Sequence, residues 1–151
     1  MKYYIIAGEA SGDLHGSNLM KGIYAEDPQA DIRFWGGDCM NSVWSIFQNT
    51  PHLHASESGL VRHYKDGAVM GFIEVLAKAR KLLRNIKFCK QDILAWNPDV
   101  VILIDYPGFN FKIAEFAHKA GYKVFYYIAP KVWASREGRI KKLKAYVDRL
   151  F

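Results

Sequence analysis

Two hydrophobic periods alternate along the chain. "KYYIIA", Lys2 to Ala7, reads as a strand, and the segment after it repeats Leu14, Leu19, Met20 and Ile23 on one helical face. "DIRFWGG" predicts a second strand ending at Gly36 and Gly37. From Met40 to Ser58 no single period holds: Trp44, Ile46 and Phe47 mix with Pro51, His52 and His54. Val69 to Leu94 predicts a long helix. In "NPDVVILID" a breaker at Pro98 precedes a continuous apolar run from Val100 to Ile104. Such runs belong to strands buried on both faces of a parallel sheet. Phe109 to Ala120 predicts a helix stopped by Gly121. "YKVFYYIA" predicts a strand closed by Pro130, Arg136 to Tyr146 a basic helix, and "VDRLF" the opening of another strand. Strands alternating with helices predict βαβ units and an α/β fold around a parallel sheet.

The 151 residues are enough for one domain with a single core. No apolar run reaches the roughly 18 residues of a membrane span. The strand pattern begins at Lys2, so no signal peptide is expected, and Cys39 and Cys89 have neither disulfide nor metal-site spacing. The pattern breaks off at Phe151 as a strand begins, which predicts a piece of something larger. Net charge is +6 but uneven. Lys78 to Lys90 holds six basic residues and no acid; Lys131 to Arg149 holds seven against two acids. Together these stretches carry +11 and the remainder −5, which points to an anionic partner.

"IIAGEASGDLHGSNLM" carries Gly8, Gly12 and Gly16 with Glu9, Ser11 and Asp13 between them. In a parallel sheet the loops at the carboxyl ends of strands form the ligand crevice, and glycine lets a ligand approach the backbone. The spacing is neither GxGxxG nor GxxxxGK[ST], and Ser11 lacks the glycines of GxSxG. Ser11, Asp13 and His15 are too close in sequence for a catalytic triad. Ser11 or Asp13 is expected to cap the following helix, with or without ligand contact.

"AGEASGDLHGSNLM", "GAVMGFIEVL", "DYPGFNFKIA" and "YYIAPKVWASREGRIKKLKAYVD" together resemble the amino-terminal half of the lipid-A-disaccharide synthase family. The resemblance covers nearly the whole chain; Asn41 to Ser58 shows no family pattern. It implies a Rossmann-like parallel sheet flanked by helices, as the acceptor-side domain of a two-domain GT-B glycosyltransferase, with residues 1–151 forming that one domain. It implies transfer from UDP-2,3-diacylglucosamine to 2,3-diacylglucosamine 1-phosphate, giving a β-1,6-linked disaccharide 1-phosphate and UDP. Most of the donor nucleotide site is then expected in a carboxyl-terminal domain. No cofactor is implied, and the expected location is cytoplasmic, peripheral on the inner membrane.

On this resemblance Asp105, at the end of the buried strand, is the expected catalytic base, the alternative being a turn aspartate before "YPG". The family pattern often has a second acid where this chain has Gly108. Gly8, Glu9, Ser11, Gly12 and Asp13 are expected to position substrate. Asn110 is expected to orient a sugar hydroxyl or cap a helix starting at Phe111. Lys131, Arg136 and Arg139 are candidates for a phosphate, although Arg139 with Lys142 and Tyr146 could form a solvated face. His52 and His54 have no convincing third ligand, so no metal site is expected. Val69, Phe72, Ile73, Val75, Leu76, Leu82 and Leu83, rimmed by cations, fit a helix lying on an anionic membrane; the alternative is a core helix with a basic side. A nucleic-acid-binding module or a stand-alone nucleotide-binding domain are the competing readings. No RNP, KH or helix-turn-helix pattern appears, so nucleic acid is not an expected partner.

Overall fold

The computed structural model describes residues 1–48, 58–67, 73–128 and 137–151. Six strands form one parallel sheet: β1 (Lys2–Ala7), β2 (Asp31–Gly36), β3 (Gly59–His63), β4 (Val100–Ile104), β5 (Lys123–Tyr127) and β6 (Arg149–Leu150), in the order β3-β2-β1-β4-β5-β6. The helices are α1 (Ala10–Glu26), α2 (Asp38–Gln48), α3 (Ile73–Trp96), α4 (Pro107–Lys119) and α5 (Glu137–Tyr146). A short 3₁₀ turn, Tyr64–Gly67, follows β3. The architecture is the Rossmann-like α/β sheet expected from the alternation of strand and helix patterns. Strand order reverses between β1 and β4, and the crevice at that switch lies at the carboxyl ends of those strands.

Alternation on the strands builds two cores. Ile5 and Ala7 of β1 with Val100, Ile102 and Ile104 of β4 face α1 and α2, meeting Met20, Tyr24, Met40 and Val43. Tyr4, Ile6, Val101 and Leu103 point the other way, onto Ile86, Cys89, Ile93 and Trp96 of α3 and Ile113 and Ala117 of α4. Leu143 and Tyr146 bring α5 onto that second core. Both faces of β1 and β4 are therefore covered, which is why their sequences read as unbroken apolar runs. A polar staple fixes α3: Arg33 of β2 grips Asp92 at 2.6 and 2.8 Å, and Tyr4 donates to the same carboxylate at 2.6 Å.

The buried side of α1 holds Met20, with Leu19 and Ile23 packed at its edge as predicted, but not Leu14. Leu14 is 54% exposed, while Gly12, Asp13, Gly16, Ser17, Met20 and Tyr24 face the sheet and α2. A Cβ on Gly12 would stand 3.2 Å from Ala7 Cβ, and one on Gly16 only 2.6 Å from Met40 Sδ. The first turns of the helix pack too closely for a larger side chain at Gly12 or Gly16, while Met20 and Tyr24 fill the space farther along. The unassigned stretch from Met40 folds as α2 up to Gln48, while His52 and His54 lie outside the described residues. Strand β3 had no sequence prediction. Among the described residues no helix is long and apolar enough to cross a membrane.

Candidate active site

Chain geometry at the tip of β4 is unusual. Asp105 and Tyr106 both take left-handed backbone conformations, with φ of 43° and 48°, before Pro107 starts α4. Each costs a non-glycine residue about 1 kcal/mol or more, so surrounding contacts must hold them. Two side chains do so. Asn110, fully buried, donates from Nδ2 to the carbonyls of Asp105 at 2.9 Å and Ile104 at 3.2 Å, with a longer approach of 3.5 Å to Ile6. Tyr126 of β5 donates its hydroxyl to the Asp105 carbonyl at 2.5 Å. Burial raises the Tyr126 phenol well above its ordinary pKa, Asp105 adds to the rise, and Arg139 of α5 works against it. The phenol therefore remains a donor at neutral pH. These bonds hold the backbone of Asp105, a partly exposed residue at the carboxyl end of β4.

Asn110 is not a cap, since helix α4 begins at Pro107. Its Nδ2 is committed to backbone carbonyls of the sheet, while its Oδ1 is buried without a hydrogen-bond partner among the described residues. Asn110 is a positioning residue for Asp105. Tyr126 and Tyr106 were not among the expected site residues. For Tyr126 the signal was available: strand alternation puts it on the inner side of β5 with Val124.

At the tip of β1, a Cβ on Gly8 would lie 2.3 Å from the Tyr106 ring, so glycine is what lets that ring cross the loop. Glu9 and Ser11 are exposed, with Ser11 Oγ 3.4 Å from Glu9 Oε1. Burial and then the nearby Glu9 charge raise the pKa of Tyr106. Gly12 and Asp13 behave otherwise and correct the expectation of substrate contact. Asp13 is 3% exposed, and its carboxylate accepts the backbone N–H groups of Gly37 at 2.8 Å and of Cys39 and Met40 at 3.0 Å. It satisfies the first N–H groups of α2, not those of its own helix. Neither Ser11 nor Asp13 caps α1, whose N-cap position is Glu9. Gly12 is a packing glycine inside α1.

Two adjoining clefts open beside Tyr106. One, about 50 Å³, runs from Ile6 and Gly8 to Arg62, His63 and Tyr64. The other, about 170 Å³, is lined by Lys78, Lys81, Leu82 and Gly108, and the two share Asn85, Tyr106 and Phe109. Gly108 itself is open to space, so the family's acid would fit sterically there. Lys131 and Arg136, like Val69 and Phe72, lie outside the described residues. Ile73 and Val75 fall in the first turn of α3. Farther along that helix Leu76 is 75% and Leu83 61% exposed, whereas Leu82 packs against the core beside α4 and is removed from the lipid-facing set.

The family profile described as Lipid-A-disaccharide synthetase matches residues 3–151. A lipid-A-disaccharide synthase of Geobacter metallireducens is 43% identical over 146 residues, covering 97% of this chain and 35% of that protein. One from Coxiella burnetii is 38% identical over 147 residues, with the same shares. The chain therefore spans about a third of the length of the curated relatives it matches. Among solved structures, a putative UDP-N-acetylglucosamine 2-epimerase from Listeria monocytogenes superposes with a TM-score of 0.61 at 15% identity, over 99% of this chain and 38% of that one. A UDP-GlcNAc 2-epimerase from Neisseria meningitidis bound to UDP-GlcNAc gives 0.62 at 11% identity, over 100% and 39%. These two share the fold.

Proposed function

The chain belongs to the lipid-A-disaccharide synthetase family, and from that premise we propose that it is the acceptor-side domain of a two-domain hexosyltransferase of lipid A biosynthesis. The donor is UDP-2,3-diacylglucosamine and the acceptor 2,3-diacylglucosamine 1-phosphate. Most of the nucleotide site lies in a second, carboxyl-terminal domain. The observation that carries this reading is Asp105: a carboxylate at the tip of a central strand, beside the strand-order switch, on backbone pinned by Asn110 and Tyr126.

Asp105 takes the proton from the acceptor's primary hydroxyl as that oxygen bonds to the donor's anomeric carbon. The bond from that carbon to the diphosphate breaks, and UDP leaves with the electron pair. Pinning the backbone of the base holds its carboxylate where the hydroxyl must arrive, which is how orientation lowers a barrier. Gly8, Glu9 and Ser11 line the opposite loop and position the sugar. Arg139, with Lys131 and Arg136, supplies cations for a substrate phosphate on the β5 side. The exposed leucines and basic residues of α3 rest on the anionic cytoplasmic face of the inner membrane, where acylated substrates reside.

The test uses the complete enzyme. Asp105→Asn is expected to lower its rate by about 10²–10⁴, the usual worth of a general base, with little change in substrate affinity or melting temperature. A near-normal rate would remove Asp105 from the chemistry. The 151-residue chain alone is expected to release no UDP from the two substrates, and turnover by it would defeat the two-domain reading.

A further inference from the structure

Arg62 is a cation with no assigned role. From β3 its guanidinium lies 5.7 Å from the Trp35 ring centroid and 5.0 Å from that of Phe88. Its Nε is shut off from solvent and has no hydrogen-bond partner, and none of the ion pairs among the described residues includes it. Stacking on rings returns about 0.5–2 kcal/mol, but it leaves the N–H fork unanswered. A partly buried guanidinium without a counter-charge is a site of positive potential facing whatever anion can reach it.

An approach exists. Arg62 lines the smaller cleft, which shares Asn85, Tyr106 and Phe109 with the adjoining larger one bearing Lys78 and Lys81. Lys81 is steadied there by donating to the Asp66 carbonyl and keeps further protons for another acceptor. Asn85 adds a neutral amide between the two cationic ends. Three cations from two elements thus line two adjoining clefts that share Tyr106, the residue after Asp105.

We propose that these clefts form an anion subsite for the phosphate monoester of a sugar phosphate, held by Arg62, Lys78 and Lys81 with Asn85 as a neutral donor. Its cations come from β3 and α3, whereas Arg139 belongs to α5, so the two phosphate-bearing substrates of the reaction above would meet cations from different elements. The proposal rests on that reading only for the sugar; the anion site stands on Arg62 and the clefts.

The experiment is an NMR titration of the labelled chain with glucosamine 1-phosphate, inorganic phosphate and glucosamine. Saturable shifts at the Arg62 Nε–H and the Asn85 amide are expected with both phosphates, tighter for the sugar phosphate, and none with glucosamine. Arg62→Gln is expected to weaken binding about tenfold or more, the worth of one charge-assisted hydrogen bond. The double variant Lys78→Gln/Lys81→Gln, on a helix surface, does the same and serves if Arg62→Gln disturbs the fold. Absent saturation, unchanged affinity in the double variant, or binding abolished instead by Arg139→Gln would overturn the subsite. Equal affinity for both phosphates would overturn its assignment to a sugar phosphate. Full activity of the complete enzyme with Asp105→Asn would defeat the catalytic reading while leaving this subsite standing.

Discussion

On one side of the sheet, Asp13 of α1 is spent on the start of α2; on the other, Asp92 of α3 and Asn110 of α4 are tied to the sheet while most charges of α3 and α5 face outward. Asp13 closes three backbone N–H groups of the α2 start, and Gly12 and Gly16 bring α1 down onto the strands. The buried carboxylate of that layer is thus spent within the chain, and only the exposed Glu9 and Ser11 at the start of α1 remain for substrate. The opposite layer carries Leu76 and Leu83 in solvent, the six cations between Lys78 and Lys90, and the basic face of α5. Its apolar contacts suffice to hold it, through Ile86, Cys89, Ile93 and Trp96. A buried charge can thus be wholly structural while an exposed leucine is available for binding, and burial alone separates neither case from its opposite. What separates them is whether each group's partners lie within the chain.

Breaking this contrast should have its largest effect at Asp13. Asp13→Ala strands the buried N–H groups of Gly37 and Met40 and the partly buried one of Cys39 and is expected to cost about 3–5 kcal/mol, a large share of a typical domain's ~5–15. Chemical denaturation measures it, and a loss below 1 kcal/mol would return Asp13 to the substrate-binding set. Next comes Gly16→Ala. Its methyl group would meet Met40 Sδ at 2.6 Å and Ile104 Cδ1 at 3.2 Å. Overpacking of about 1–3 kcal/mol outweighs the roughly 1 kcal/mol that alanine gains in a helix. Gly22→Ala sharpens the point, because that position in the same helix has open space. It should stabilise by about 0.5–1 kcal/mol, so thermal melts of the two variants should move in opposite directions. Smallest for stability is Leu76→Gln/Leu83→Gln, expected within about 0.5 kcal/mol of the parent. Flotation with anionic vesicles should nonetheless fall, and fall further with salt. A pair of glutamines that unfolds the domain would place those leucines in the core, and unchanged flotation would move the membrane contact elsewhere.

Legibility in the sequence followed the range of the forces involved. β1 and β4 could be read because a strand buried on both faces has only one solution, an uninterrupted apolar run. Asp105 was legible as a carboxylate after such a run, and the basic stretches as charge without acid. β3 was not legible. "GLVRH" has two large apolar residues, and its pairing with β2 shifts register between Phe34 and Trp35. An edge strand of that kind is decided by the neighbour it hydrogen-bonds to, not by its own period. Leu14 alone misled on α1: hydrophobicity puts it with Met20, whereas the first turns approach the sheet and α2 through Gly12 and Gly16.

The alternation of strands and helices, the basic bias of two helices and a carboxylate at the end of the central strand were determined by the sequence alone, since each depends on residues adjacent in the chain. The strand order that puts β1 beside β4, the loan of Asp13 to a helix start 24 residues away at Gly37, and the adjoining clefts that put Arg62 on one side of Tyr106 and Lys78 and Lys81 on the other were decided only by tertiary structure. Periodicity records that a segment must bury a face or satisfy a charge, but the partner is chosen by which distant segments can reach it once the sheet has closed both its faces.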